Sequence, residues 1–327
     1  MLRFSLCCFS IVFAGTVLGQ AQGPQPPLLG YLASDSPLSV RPIVGAPGAV
    51  VVGDPIPLPD DVTRFVPTPG QQFGLVERAG AAELGVLQLG VTNSGVVQPI
   101  PNTFSHADRV AFSPSGTVAL LYSATLQQAQ VVTGLPSSAQ IAQSLDLTTL
   151  GGIPVTSLAV SDDGQTVLAG VSDGTSGAVW LSSNGQSAQQ LASLGVPSAL
   201  RFFSGSQDAV VSDSGWQQVS LLTGIAQQFN LQLLASAAQG ITAPADVEIS
   251  MDQQHVWVAD SSGLFDLDLR SGAASAIDCP FAPAELHRLW GESVYGVASA
   301  DNKNWGLWAP GAPATRLWKL AHSPEAR

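Results

Sequence analysis

The chain has 327 residues with 12 basic and 24 acidic side chains, a formal net charge of −12, which argues against nucleic acid or an anionic membrane face as the main partner. Charged residues make up 11% of it, where about 25% is usual in soluble domains. Hydrophobic residues make up 45%, which excludes a charge-rich disordered chain and permits a large core.

In chain order, Met1-Leu2-Arg3 forms a short positive start, and Phe4 to Leu18 is apolar. That stretch is short of the ~20 residues a membrane-spanning helix needs, and small residues follow it around Gly19 and Ala21. Residues 1–19 therefore read as a cleaved secretory signal, which predicts a periplasmic or secreted protein with no membrane span after cleavage. Cys7 and Cys8 lie inside the apolar stretch without the small residues expected before a lipoprotein anchor. Once they leave, Cys279 has no partner for an internal disulfide, and Asp278-Cys279-Pro280 offers no ligand spacing; a buried, inert thiol is expected. Residues 20–27 (QAQGPQPP) form a Pro/Gln-rich tether.

Leu28 to Gly45 reads as a hairpin, and Ala49 to Leu58 as a further strand. Six segments then repeat one pattern: an apolar strand, a tight polar turn and a second apolar strand. Taking Val66, Ser113, Ser161, Phe203, Ser250 and Trp290 as equivalent gives spacings of 47, 48, 42, 47 and 40 residues. The turns Ser113-Pro114-Ser115-Gly116 and Ser161-Asp162-Asp163-Gly164 carry the residues that chain reversal favours. Inside each repeat a second turn follows at Gly95, Gly134, Gly185, Gly224, Gly272 and Gly311, with Asn184-Gly185 the strongest hairpin signal. Strand alternation is clearest in Leu264-Phe265-Asp266-Leu267-Asp268-Leu269.

Two successive hairpins per repeat make one four-stranded antiparallel sheet, and sheets at this period match the blades of an all-β propeller. The first hairpin and strand add a partial blade, so seven blades are expected, with six plus an extra hairpin as the alternative. One domain then spans residues 28–320, and 321–327 form a tail.

Family resemblance is carried by particular residues. Ala111-Phe112-Ser113-Pro114-Ser115-Gly116 and Leu158-Ala159-Val160-Ser161-Asp162-Asp163-Gly164 resemble the turns between first and second strands of WD-type and lactonase-like propellers. Val256-Trp257-Val258-Ala259-Asp260 resembles the second strand of such repeats. Leu29-Gly30-Tyr31 and Arg41 to Ala49 resemble the start of uncharacterised exported bacterial propellers. The resemblance covers Leu28 to about Leu320. It implies the fold rather than a function, because propellers host binding, scaffolding and catalysis alike.

Signatures of chemistry are sparse. The sequence has no G-x-S-x-G elbow, H-E-x-x-H pair, P-loop or paired-Cys motif, and no cofactor or metal is expected. One pattern stands out. Two residues before each anchor lie Arg64, Ala111, Ala159, Arg201, Glu248 and Arg288, on the strand expected nearest the axis. Three of the nine arginines beyond residue 19 share that register. The plainer reading is an ion network between blades, with Glu248 bridging two guanidiniums; the functional reading is an anionic ligand in the channel. A second candidate surface is the rim formed by His106, Asp108, Arg109 and His287. Trp290, Trp305, Trp308 and Trp318 crowd the last repeat, where packing between blades is expected.

Two functions follow. The first is an exported, non-enzymatic propeller, monomeric, that binds a protein partner or a small anionic ligand. The second is a lactonase-like or glycan-directed hydrolase with its site in the channel, which would need converging acidic or histidine groups.

Overall fold

The computed structural model describes residues 26–35, 38–46, 48–90, 95–289, 294–301, 303–310 and 317–320. The signal at 1–19, residues 20–25 of the tether, Trp290, Gly311 and the tail at 321–327 lie outside the described residues, as does the side chain of Trp318.

Short aliphatic runs separated by Gly-, Asp- and Ser-rich turns leave antiparallel pairing as the way to satisfy the backbone. The described strands form seven sheets, each from one contiguous stretch of chain. The first has three strands and the other six have four, paired in sequence order. This is a seven-bladed propeller, and the N-terminal hairpin with its extra strand is a blade of its own. In each four-stranded blade the first strand is innermost. The inner strands of blades 2 to 7 are Val62–Pro67, Arg109–Phe112, Val155–Val160, Pro197–Phe202, Pro244–Ile249 and Pro283–Arg288; blade 1 begins with Leu28–Asp35.

A sheet has two faces to bury, and here every face meets a neighbouring blade. Seven apolar clusters fill the seven blade-to-blade interfaces. The ring closes where Leu29, Leu32 and Ile43 of blade 1 pack on Leu289, Val294, Trp305 and Leu307 of blade 7. Among the described residues, no strand from one end of the chain completes a blade at the other. Between blades 6 and 7, Trp257 meets Trp308 edge-on at 4.6 Å and 87°, and Tyr295 at 4.1 Å and 66°. Trp305 and Trp308 are thus core residues of two different interfaces.

Local chemistry fixes the blade ends. The turn after each inner strand closes through equivalent backbone bonds, donated by Thr68, Ser113, Ser161, Phe203, Ser250 and Leu289. At the start of six inner strands the pairing slips by one residue, a bulge. Pro197, Pro244 and Pro283 open three of those strands, where a missing N–H costs no ladder bond. Two of the glycine turns require their residue type: φ is +78° at Gly134 and +62° at Gly224, and a Cβ would strike the Ser138 and Gln228 carbonyls respectively.

Two of the anchors expected from sequence are displaced. In blade 2 the residue equivalent to Ser113 is Thr68, not Val66, and in blade 7 it is Leu289, not Trp290. Cys279 is half-buried rather than fully buried, and that burial raises its thiol pKa. No helix among the described residues is long and apolar enough to cross a membrane.

Candidate functional site

A cavity of about 570 Å³ follows the axis, lined by the inner strands of blades 2 to 7 and the turns that end them. One end, where inner strands begin, is termed the entry face; the other is the turn face.

With the anchors corrected, the two inner-strand registers separate. Two residues before the turn lie Val66, Ala111, Ala159, Arg201, Glu248 and His287. Four before it, just after the bulge in blades 2, 4, 5, 6 and 7, lie Arg64, Arg109, Ser157, Ala199, Asp246 and Glu285. Arg64 and Arg288 therefore share a position with neither Arg201 nor Glu248.

Arg201 is the centre of the ion network. Its Nη2 donates to Asp246 Oδ1 at 3.1 Å, and its Nε lies 3.8 Å from Glu248 Oε2. Asp246 also accepts the N–H of Val247 at 2.9 Å and, through Oδ2, that of Leu286 at 3.0 Å. The expected bridge is thus inverted: one guanidinium serves two carboxylates, instead of Glu248 serving two guanidiniums. Asp246 holds Arg201 more firmly protonated, against burial and aided by Glu248. Burial raises the Glu248 pKa, only partly offset by Arg201 and Arg288. A shared Ala-Pro-Ala-acid run marks both Asp246 and Glu285 in the sequence, a signal separate from the arginine register.

Arg288 lines the channel but pairs with no carboxylate within 4 Å among the described residues. Its guanidinium instead reaches Met251 Sδ and the Pro114 carbonyl. Arg64 does not line the channel. It donates to Glu77 at 3.0 Å and to the Ala107 carbonyl, tying blade 2 to blade 3. Glu77 also meets His106 Nδ1 at 2.8 Å, and that hydrogen bond and charge raise the His106 pKa.

Of the rim residues, Arg109 and His287 line the channel, whereas His106 and Asp108 do not. His287 meets Glu285 at 3.1 Å and stacks on Trp305 at 5.3 Å and 16°. The bond from His287 lowers the Glu285 pKa against burial. Asp108 accepts the Ala124 N–H at 2.7 Å and lies 3.6 Å from His106 Nε2. Arg109 is different: it is exposed, its guanidinium has no hydrogen bond or ion pair among the described residues, and its charge acts on the Tyr122 phenol, partly opposing the burial that raises that pKa. The other arginines described, Arg41, Arg64, Arg78, Arg201, Arg270 and Arg288, each donate to a partner.

Side-chain bonds between blades hold this frame. Ser157 donates to the Pro197 carbonyl at 2.9 Å, and Ser198 to that of Pro244. Gln71 of blade 2 exchanges two bonds with the backbone of Tyr31 in blade 1, at 2.6 and 2.9 Å. On the turn face, Asp162 accepts the N–H of Ser115 in blade 3 at 2.8 Å and of Gly205 in blade 5 at 2.9 Å. The Asp162-Asp163-Gly164 turn is thus a tie across three blades.

The class of protein that this architecture defines is the seven-bladed β-propeller. Among solved structures, Kuenenia stuttgartiensis hydrazine synthase is similar in fold, with 12% identity and a TM-score of 0.57, covering 91% of this chain and 99% of that one. The β-propeller domain of Myceliophteria thermophila Cps50 (Swd1) is similar too, at 10% identity and a TM-score of 0.55, covering 86% and 96%. These likenesses establish the fold. No protein-family model and no curated protein sequence matches the chain.

Proposed function

We propose that this chain is an exported, non-enzymatic, monomeric binding module that presents its entry face to a protein partner or a small anionic ligand. The observation that carries the proposal is Arg109, an exposed guanidinium with no hydrogen bond or ion pair among the described residues, at the mouth of the channel. An unsatisfied cation beside a cavity suits a ligand carboxylate, which it can meet with two parallel bonds. Two other channel carboxylates are committed, Asp246 to Arg201 and two N–H groups and Glu285 to His287, whereas Glu248 has a longer contact to Arg201, at 3.8 Å. The hold on Asp246, locked by an arginine and two N–H groups, leaves it poorly placed to exchange a proton, which favours binding over hydrolysis at that carboxylate. Export rests on residues 1–19.

Calorimetric titration with benzoate, with Arg109→Gln as control, tests the ligand site. Saturable binding lost in the variant is expected. A hydrolase reading has one observation in its favour, the raised pKa of Glu248. Turnover of a lactone or glycoside that survives Arg109→Gln but not Glu248→Gln would replace the proposal. N-terminal sequencing of protein recovered from periplasm or medium tests export; an intact Met1 there would refute cleavage.

A further inference from the structure

Arg109 lines not one cavity but two. Besides the channel, it borders a groove of about 420 Å³ between blades 3 and 4 on the entry face. The groove is walled by Tyr122, Leu147, Leu150 and Val155, all buried, and Ile153 stands at its edge 40% exposed. Leu126, 54% exposed, adjoins Gln127, another groove residue. The acidic neighbour Asp108 is occupied by the Ala124 N–H and His106. Among the described strands, the inner strand of blade 3, Arg109–Phe112, pairs along one edge only, with Ala119–Ser123, and its other edge faces the channel.

We propose that this junction receives the free C-terminus of a polypeptide that ends in an apolar residue. The terminal carboxylate sits on Arg109, the last side chain enters the groove, and the preceding backbone runs into the channel mouth. This rests on the reading of Arg109 as a ligand site and names its occupant. Each part of such a terminus meets its complement: carboxylate with guanidinium, apolar side chain with Leu147 and Leu150, and extended backbone with a strand edge. A small apolar acid would fill the groove and leave the strand edges unmet.

The test is fluorescence polarisation with a labelled hexapeptide ending in leucine, against its C-terminal amide and an analogue ending in glutamine. The free acid ending in leucine is expected to bind, with the amide and Arg109→Gln each weaker by about tenfold or more, the scale of one charge-assisted pair. The glutamine analogue and Ile153→Asp should weaken binding several-fold, with melting temperatures showing that each variant is folded. Equal binding of acid and amide overturns the proposal. If leucine- and glutamine-ended acids bind equally and both need Arg109, the anion site stands and the groove reading falls. If N-acetylleucine competes as well as unlabelled peptide, the ligand is a small acid and the polypeptide is overturned. If no peptide binds, the inference fails, and the benzoate titration alone decides the reading beneath it.

Discussion

Arg288, on the inner strand of the last blade, donates to the carbonyl oxygen of Pro114 in the turn of blade 3, half-way round the ring. Its other terminal nitrogen meets Met251 Sδ of blade 6 at 3.1 Å. One side chain therefore braces three blades at the turn-face end of the channel.

Removing that brace has a measurable cost. Arg288→Ala is expected to lose about 1–2 kcal/mol, since charge-assisted bonds to a carbonyl are among the stronger ones. For a chain of this size that corresponds to a melting temperature lower by about 2–4 °C by calorimetry. Arg288→Lys should restore only part of it, because an ammonium lacks the planar fork. An unchanged transition in both variants would mean that the brace carries no energy.

The Arg201–Asp246 pair should be coupled. Asp246→Asn leaves Arg201 a neutral acceptor in place of its nearest charge, with the Leu200 carbonyl at 3.0 Å and Glu248, the remaining carboxylate, at 3.8 Å. The Arg201 side chain is 36% exposed to the channel, so the loss is expected at about 1–3 kcal/mol, below the range for a fully buried pair. A denaturation cycle with Arg201→Met would read the interaction directly; a coupling energy near zero would contradict it.

Stability should respond to pH in opposite senses at two carboxyls. Burial opposes ionisation of Asp260, yet Ser262 and Thr242 bond its carboxylate and hold its pKa low. Its contribution is present above the ordinary aspartate range of about 4 and is lost as pH falls through the folded value. Asp260→Asn should therefore destabilise more at pH 7 than at pH 3. Glu248 is the reverse: its raised pKa makes ionisation a cost that appears as pH rises above the ordinary glutamate range of about 4.3. Glu248→Gln should be relatively more stable at pH 7 than at pH 4. Thermal melts across this interval check both, and identical shifts at the two pH values would contradict them.

The blade 6–7 interface should be the most sensitive core site. Trp308 is fully buried, so Trp308→Ala is expected to cost about 3–5 kcal/mol in urea unfolding. Trp216, 52% exposed, should tolerate alanine within about 0.5 kcal/mol.

The hairpins and the turns at Ser113 and Ser161 were plain in the sequence because Pro, Asp and Gly mark them. The blade 2 anchor was misplaced by two residues, since Val62 to Val66 looks like a complete strand and Pro67-Thr68-Pro69 hides where it ends. In blade 7 an apolar Leu289 begins the turn, so no polar residue signals it. Those slips brought Arg64 and Arg288 into a register they do not occupy. Arg201 and Glu248 were correctly aligned, because Phe203 and Ser250 do begin equivalent turns. The bulges were illegible, being a property of pairing rather than composition, and with them the position that Arg109 shares with Asp246 and Glu285. The groove beside Arg109 depends on how two blades meet, which no single segment encodes.

Among the described residues, no strand is shared across the seam between blades 1 and 7, which is packed by apolar side chains. Where a shared strand closes a ring, the backbone ladder acts as a hasp, and opening it breaks many hydrogen bonds at once. Here no such ladder joins the described strands, and unlike the other six junctions no direct chain connection links the two blades, so this junction should open at the lowest cost, and amide exchange should be fastest along Leu28–Asp35 and the strand facing it. The same independence makes every blade a self-contained link. New chain ends could be cut between any two blades and the old ends joined without dividing a sheet, so the order of the seven links matters more to this ring than where the chain begins.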